Sequence, residues 1–132
     1  MKNRRFVTIV VASLLLAACA STPTRVRSEF EDIPVPKGLD FVDDKSTIIE
    51  SPTVKAARLI YRGRIEVTSL GSALKTTLEA NGWRTVSTTT TGEHGTTQIY
   101  EKGGSALQVR IWESWYYTYV ELTGSRSLSL AR

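Results

Sequence analysis

Cys19 is the one cysteine of this 132-residue chain and its most reactive side chain, because a thiolate can attack an electrophile or bind a metal. It follows a positively charged start at residues 2–5, an apolar run over 6–16 and two alanines at 17–18. These are the three parts of a cleavable secretory signal, which we predict over residues 1–18. The apolar run is about half the roughly 20 residues that span a bilayer, so a permanent transmembrane helix is the weaker interpretation.

Four residues at the predicted cleavage point resemble the lipobox of bacterial lipoproteins, an aliphatic residue, two small residues and a cysteine. Here they are Leu16, Ala17, Ala18 and Cys19. The resemblance implies cleavage between Ala18 and Cys19, a diacylglyceryl group on the Cys19 sulfur, and acylation of the new amine, with palmitate as the expected chain. Two or three chains on one residue anchor a protein to a membrane, whereas a single chain binds only marginally.

The residues after the cysteine carry a sorting signal in that family, where aspartate retains a lipoprotein in the inner membrane. Ala20 and Ser21 stand there in this chain. The resemblance therefore implies lipid anchoring in the cell outer membrane, facing the periplasm, if the source has two membranes. Two alternatives stay open, which are an ordinary secretory signal with an incidental cysteine and a cytoplasmic protein with an unstructured start.

Other residues suited to catalysis or metal binding are few. His94 is the only histidine and lies in a glycine-flanked turn, which predicts a solvated side chain. The acidic cluster within residues 40–44 lacks the spacing of a calcium loop. With Cys19 lipidated, no thiol remains for a disulfide, a metal or catalysis. The sequence therefore predicts no catalytic residue, no metal site, no cofactor and no enzymatic activity.

Aromatic residues near the end of the chain form the candidate interaction surface. If residues 105–112 and 115–123 are strands, alternation places five of them on one sheet face, which are Arg110, Trp112, Trp115, Tyr117 and Tyr119. Aromatic side chains with a polar atom favour interfaces, which suggests a docking surface for a protein, glycan or lipid. The alternative is a second small core, covered by residues 33–41 or by the twist of the sheet.

The apolar periodicity predicts an α+β fold with the order β-β-α-β-β-β-β. We expect a helix at 69–81 and strands at 46–50, 56–67, 83–90, 96–102, 105–112 and 115–123. Thr68 or Ser69 is the expected helix cap. The simplest arrangement is one antiparallel meander with the helix packed on one face. Three arginines share a face of the second strand and favour a plain exposed face over an anion site: Arg58, Arg62 and Arg64.

Four segments follow along the chain, which are the signal (1–18), a lipidated N-terminus and tether (19–45), the α+β domain (46–123) and a flexible C-terminal tail (124–132). We expect the end of the tether to dock on the domain through Ile33, Val35, Leu39 and Phe41. Removal of the signal lowers the net charge from +4 to +1, since it carries three basic and no acidic residues. No basic run is present, so nucleic acid is not an expected partner.

Short matches within residues 46–111 resemble small proteobacterial envelope lipoproteins of unassigned function. They are Glu50-Ser51-Pro52, Tyr61-Arg62-Gly63-Arg64, Asn81-Gly82-Trp83 and Tyr100-Glu101-Lys102. The resemblance implies an α+β envelope domain and no particular activity. The β-β-α-β layout is also similar to accessory lipoprotein domains of outer-membrane assembly, which is an analogy of fold alone.

Together these features favour a membrane-anchored, non-enzymatic interaction or assembly-accessory domain with an envelope protein as partner. The alternative is a module that binds a small apolar ligand or lipid between the sheet and the helix.

Overall fold

Segments of alternating apolar and polar residues form the seven strands of one sheet, and a single α-helix packs on one face of that sheet. The computed structural model describes residues 30, 33–92 and 95–127. The elements are β1 (Asp40–Phe41), a 3-10 helix (Asp43–Lys45), β2 (Thr47–Glu50), β3 (Val54–Gly63), α1 (Val67–Ala80), β4 (Arg84–Thr91), β5 (Gly95–Lys102), β6 (Ser105–Glu113) and β7 (Thr118–Ser127). None of the helices in these residues has the length and apolar content needed to cross a bilayer.

The strands form one antiparallel sheet in the order β1-β3-β7-β6-β5-β4, with β2 beside β1 on the outer edge of β3. A single antiparallel sheet with one helix was predicted and is confirmed, although strands predominate. The simple meander is wrong. Only β4 to β7 form a meander, and β7 inserts between β3 and β6 by pairing with β3 over ten residue pairs. Because β3 and β4 run in the same direction, the chain needs a crossover, which α1 supplies.

Several boundaries differ from the sequence-based expectation. A short strand, β1, precedes the two strands predicted before the helix. The helix begins at Val67, because the Glu66 carboxylate caps it by accepting hydrogen bonds from the backbone N–H groups of Thr68 (2.7 Å) and Ser69 (2.8 Å). Thr68 and Ser69 are thus not the cap. Strand β7 continues to Ser127, so residues 124–127, predicted as tail, belong to the sheet.

The main core lies on the sheet face that α1 covers. Leu70, Leu74 and Leu78 of the helix are fully buried, as their spacing predicted. They meet sheet side chains that include Val109 and Val120. Burying one such side chain contributes about 1.5–3 kcal/mol, so the packing of this layer is a large stabilising contribution.

Described residues that precede β1 cover a further part of that face. Phe30 and Ile33 are buried in the core, and both lie against Gly124 of β7. Val35, Leu39 and Phe41 are partly buried against the same cluster. The predicted docking of residues 33–41 is confirmed. These residues therefore belong to the domain. The predicted boundary, which assigned them to the tether and began the domain at residue 46, is too late in the chain.

A buried polar chain joins the helix to the sheet. The Gln98 amide donates to the Gly71 carbonyl (3.1 Å), and the Tyr100 hydroxyl donates to the Gln98 carbonyl oxygen (2.8 Å). Burial, and secondarily the nearby Glu79 carboxylate, raises the pKa of Tyr100 to about 12. Pairing these groups avoids the cost of about 1–3 kcal/mol for an unsatisfied buried polar atom.

Candidate interaction surface

Three aromatic side chains lie on the sheet face opposite α1, at the end of the β6–β7 hairpin. Trp112 and Tyr119 are direct cross-strand partners, and their rings stack with centroids 5.5 Å apart and planes at 12°. Tyr117 meets Tyr119 edge-on, with centroids 6.5 Å apart. Such ring pairs contribute about 0.5–1.5 kcal/mol each beyond their burial, so this arrangement of the rings is favoured before any ligand binds.

Four cations lie over these rings. The Arg110 guanidinium is 5.4 Å from the Trp112 ring centroid. Lys45 Nζ, from the 3-10 helix, is 5.3 Å from the Tyr119 ring centroid. Two more guanidiniums approach one ring, Tyr117, at 5.0 and 5.8 Å; they belong to Arg62 and Arg64. All four distances lie within the range of cation–π attraction.

We call this set the aromatic–cation surface. It consists of Lys45, Arg62, Arg64, Arg110, Trp112, Tyr117 and Tyr119. The three rings are half-buried and the four cations are exposed. The structure thus brings together four of the five residues predicted from sequence, and Trp115 is the exception.

Trp115 lies in the turn between β6 and β7 and not on a strand. The turn is closed by a hydrogen bond from the Ser114 N–H to the Tyr117 carbonyl (2.8 Å). Trp115 is 92% exposed and stacks on Tyr116, which is 70% exposed. Its placement on the sheet face was wrong because alternation stops where the strand ends.

The 3-10 helix and its flanking residues cover a small part of this face. Val42 and Ile60 are both buried, Ile60 to 2% exposure. The 3-10 helix is held there because Val42 N–H donates to the Ile60 carbonyl (2.8 Å), and Ser46 Oγ accepts from Ile60 N–H (3.0 Å) and donates to the Val42 carbonyl (2.8 Å). The second core predicted as the alternative is therefore limited to this turn, and residues 33–41 cover the opposite face.

A cleft of about 420 Å³ opens between this turn and the aromatic rings. Its walls include Lys45, Arg58, Trp112 and Tyr119. Arg58 forms an ion pair with Glu121 (2.7 Å), so the three arginines predicted to share a face, of which Arg64 lies just beyond the end of β3, do not act as one group. Only Arg62 and Arg64 converge on a common ring, while Arg58 is neutralised beside the cleft.

The remaining residues singled out from the sequence lie outside the described residues. They are Leu16, Ala17, Ala18, Cys19 and His94. Within residues 30, 33–92 and 95–127, no group of three or more histidine, cysteine, aspartate or glutamate side chains is placed to hold a metal ion.

Comparison of the chain with protein-family models, with curated proteins and with solved structures finds no match. Function is therefore inferred from the residues of the chain and their arrangement.

Proposed function

We propose that this protein is a cell-envelope lipoprotein whose α+β domain is a non-enzymatic interaction or assembly-accessory module. It is anchored in the outer membrane by lipid on Cys19, faces the periplasm and binds an envelope protein. The charged start, the apolar run and the lipobox-like residues 16–19 support the anchor. The aromatic–cation surface supports the binding role.

That surface is the single observation that carries the proposal. Tryptophan, tyrosine and arginine are the residue types that contribute most of the binding energy in protein interfaces. Here they are stacked on one another across two paired strands, so little side-chain freedom is left to lose when a partner docks. A surface prepared in this way favours binding over catalysis, which would need converging acid, base or nucleophile groups.

The charge of the surface indicates the chemistry of the partner. Among the described residues, none of its four cations forms an ion pair with a carboxylate, whereas Arg58 next to them does. Four cations over three rings suit an acidic protein segment, whose carboxylates can bind the guanidiniums in a bidentate manner. The exposed rings of Trp115 and Tyr116 extend the apolar contact beyond the strand end.

The test is photo-crosslinking in intact cells from position 108. Gln108 is exposed on β6 and lies on the same face as Arg110. The full-length protein carries a photoreactive residue there, alone or with the double charge reversal Arg62→Glu and Arg64→Glu. We expect a specific adduct that this double variant reduces at least about tenfold, because like charges then oppose an acidic partner.

The control is Lys75→Glu, a single charge reversal at an exposed position on α1, on the other side of the sheet. This variant is expected to keep the adduct. The proposal fails if no specific envelope protein is captured, or if the double variant Arg62→Glu and Arg64→Glu leaves the adduct unchanged. Loss of the adduct in the Lys75→Glu control would also count against it, because the effect would then follow the overall charge.

The alternative, a small apolar ligand or lipid between the sheet and the helix, needs space in that layer. The side chains that would have to part are fully buried in one cluster: Leu70, Leu74, Leu78, Val109 and Val120. Their packing gives the alternative no support.

A further inference from the structure

The two edges of the sheet are built differently. One edge consists of β1 and β2, of two and four residues, which the 3-10 helix separates. It also carries Asp40 and Glu50. The other edge is β4, an eight-residue strand that pairs only with β5 in the described sheet. One edge is therefore short and interrupted, and the other is long.

From Ser87 onward, beyond its charged first residue Arg84 and an irregularity between Thr85 and Ser87, strand β4 lacks the features that normally protect an edge. Natural sheets place charges, prolines, bulges or short strands at their edges, because unpaired backbone groups recruit other strands. After Arg84, β4 has no charge and no proline, and it ends in four consecutive threonines. Seven of its eight residues are exposed. Arg84 itself forms an ion pair with Glu101 of β5.

We propose that β4 pairs antiparallel with β4 of a second copy of this chain and extends the sheet across the two copies. The irregularity between Thr85 and Ser87 confines the regular ladder to residues 87–91. A two-fold axis through its midpoint sets Thr89 opposite Thr89 and Ser87 opposite Thr91. The closed symmetry of such an interface prevents further growth.

The composition of the edge identifies the occupant. A charged partner strand would find no opposite charge along residues 85–92, whereas an identical strand is neutral at every facing position. Threonine pairs are also what this strand already makes on its inner side. Thr89 faces Thr97 and Thr90 faces Thr96 in β5, with the latter two hydroxyl oxygens 3.5 Å apart. Threonine–threonine pairs stabilise neighbouring strands.

This inference is independent of the proposed function. The aromatic–cation surface uses β6, β7, the C-terminal end of β3 and the 3-10 helix, and β5 separates it from the β4 edge. Pairing of two copies through β4 leaves that surface free on both. Loss of dimerisation through β4 can therefore be measured separately from loss of binding to the envelope partner.

The test is a charge swap at position 89, read by sedimentation equilibrium of the full-length protein in detergent. The wild type is expected to be a concentration-dependent dimer. Thr89→Lys and Thr89→Glu should each raise the dimer Kd by about tenfold or more, because like charges then face each other at the axis. An equimolar mixture of the two variants should restore a one-to-one dimer. Thr76→Lys, at an exposed site on α1, is the control and should dimerise as the wild type does.

Other results overturn the proposal. A wild type that is monomeric at all soluble concentrations rules out the second copy. Dimerisation that neither charged variant changes places the interface elsewhere. Two monomeric variants that do not recombine exclude direct opposition at Thr89. If the wild type is monomeric but Thr89→Lys weakens capture of another envelope protein, the edge receives a different chain.

Discussion

At the scale of single residues, Gly71 shows how closely α1 approaches the sheet. Its carbonyl accepts the Gln98 amide hydrogen bond, and it lies within the buried stripe of the helix. Glycine inside a helix is less favourable than alanine by about 0.8–1 kcal/mol. A glycine would be needed here only if an added methyl group had no room, and the distances from the position of that methyl carbon to its neighbours show that there is room.

Gly71→Ala is expected to raise the free energy of unfolding by about 0.5–1 kcal/mol, as measured by urea denaturation. The added methyl carbon would lie 3.5 Å from Gln98 Nε2 and 3.6 Å from Ile111 Cδ1, which are ordinary contact distances. Gly63→Ala is the control, since its new carbon would lie 2.5 Å from the Gly38 carbonyl oxygen. That variant should lose about 1–3 kcal/mol. Destabilisation by Gly71→Ala would show that the helix cannot accommodate a methyl group.

The cap of α1 makes stability depend on pH. Hydrogen bonds from the backbone of Thr68 and Ser69, and then from the Ser69 hydroxyl, lower the pKa of Glu66 from its ordinary value of 4.5 to about 2. Because the pKa is lower in the folded chain, the stabilising contribution is complete above about pH 4.5 and is lost as the pH falls towards 2. Glu66→Gln is expected to be less stable than the wild type at neutral pH, and the difference should shrink over this window.

Thermal unfolding of both proteins across the same pH range measures that difference. Glu113→Gln removes an exposed glutamate at the end of β6, outside the helix, and serves as the control. Its effect should be smaller and should not converge on the wild type in the same way. Equal behaviour of the two variants would mean that the Glu66 carboxylate contributes nothing to the helix terminus.

At the scale of elements, the 3-10 helix turns a strand edge into a cover. Strand β3 lacks a neighbouring strand between β1 and β2, and the Ser46 hydroxyl supplies the missing hydrogen bond to Ile60 N–H. The same hydroxyl donates to the Val42 carbonyl. The Ser46 side chain therefore holds the 3-10 helix over Ile60, and the 3-10 helix positions Lys45 over Tyr119.

Ser46→Ala should destabilise the domain by about 1–2 kcal/mol, because it leaves a partly buried Ile60 N–H unpaired. Ser51→Ala is a matched control. The Ser51 hydroxyl also bonds the backbone, to the carbonyl and the N–H of Val54, but in an exposed position where water can replace it. Its loss should be under about half of that value. Denaturation of both variants in urea gives the comparison, and equal losses would contradict the role given to Ser46.

At the scale of the whole molecule, anchoring and folding are predicted to be separable. Among the described residues, the first that belongs to the core is Phe30, which packs against Gly124, eleven positions after the predicted lipid site. Cys19→Ser is expected to leave the domain folded and to release it from the membrane fraction, because the acyl chains provide the membrane affinity.

Fractionation of cells and circular dichroism of the released protein measure these two outcomes. Ser21→Ala, two residues beyond the lipid site, is the control and should remain with the membrane. Wild-type protein and Cys19→Ser that both require detergent for extraction would show that the lipobox interpretation is wrong. An unfolded Cys19→Ser protein would show that the anchor and the domain depend on each other.

Much of the fold follows from short-range patterns. The spacing of Leu70, Leu74 and Leu78 predicts α1, and the alternation of Leu107, Val109 and Ile111 predicts β6; all six are fully buried. These patterns work because a helix or strand face is set by residues a few positions apart. The anchor prediction is of the same kind, since a signal and a lipobox are linear features.

Tertiary structure decided everything that depends on distant partners. Ile60 shares a strand face with two exposed arginines, yet it is buried because the 3-10 helix folds over it. Strand β7 lies between β3 and β6 because it pairs with both, which no local pattern indicates. The same pairing brings Tyr119 beside Trp112 and Arg62 beside Tyr117. Residue types thus suggested a binding surface, and only long-range strand pairing determined which of them meet, because β contacts join residues that are far apart in sequence.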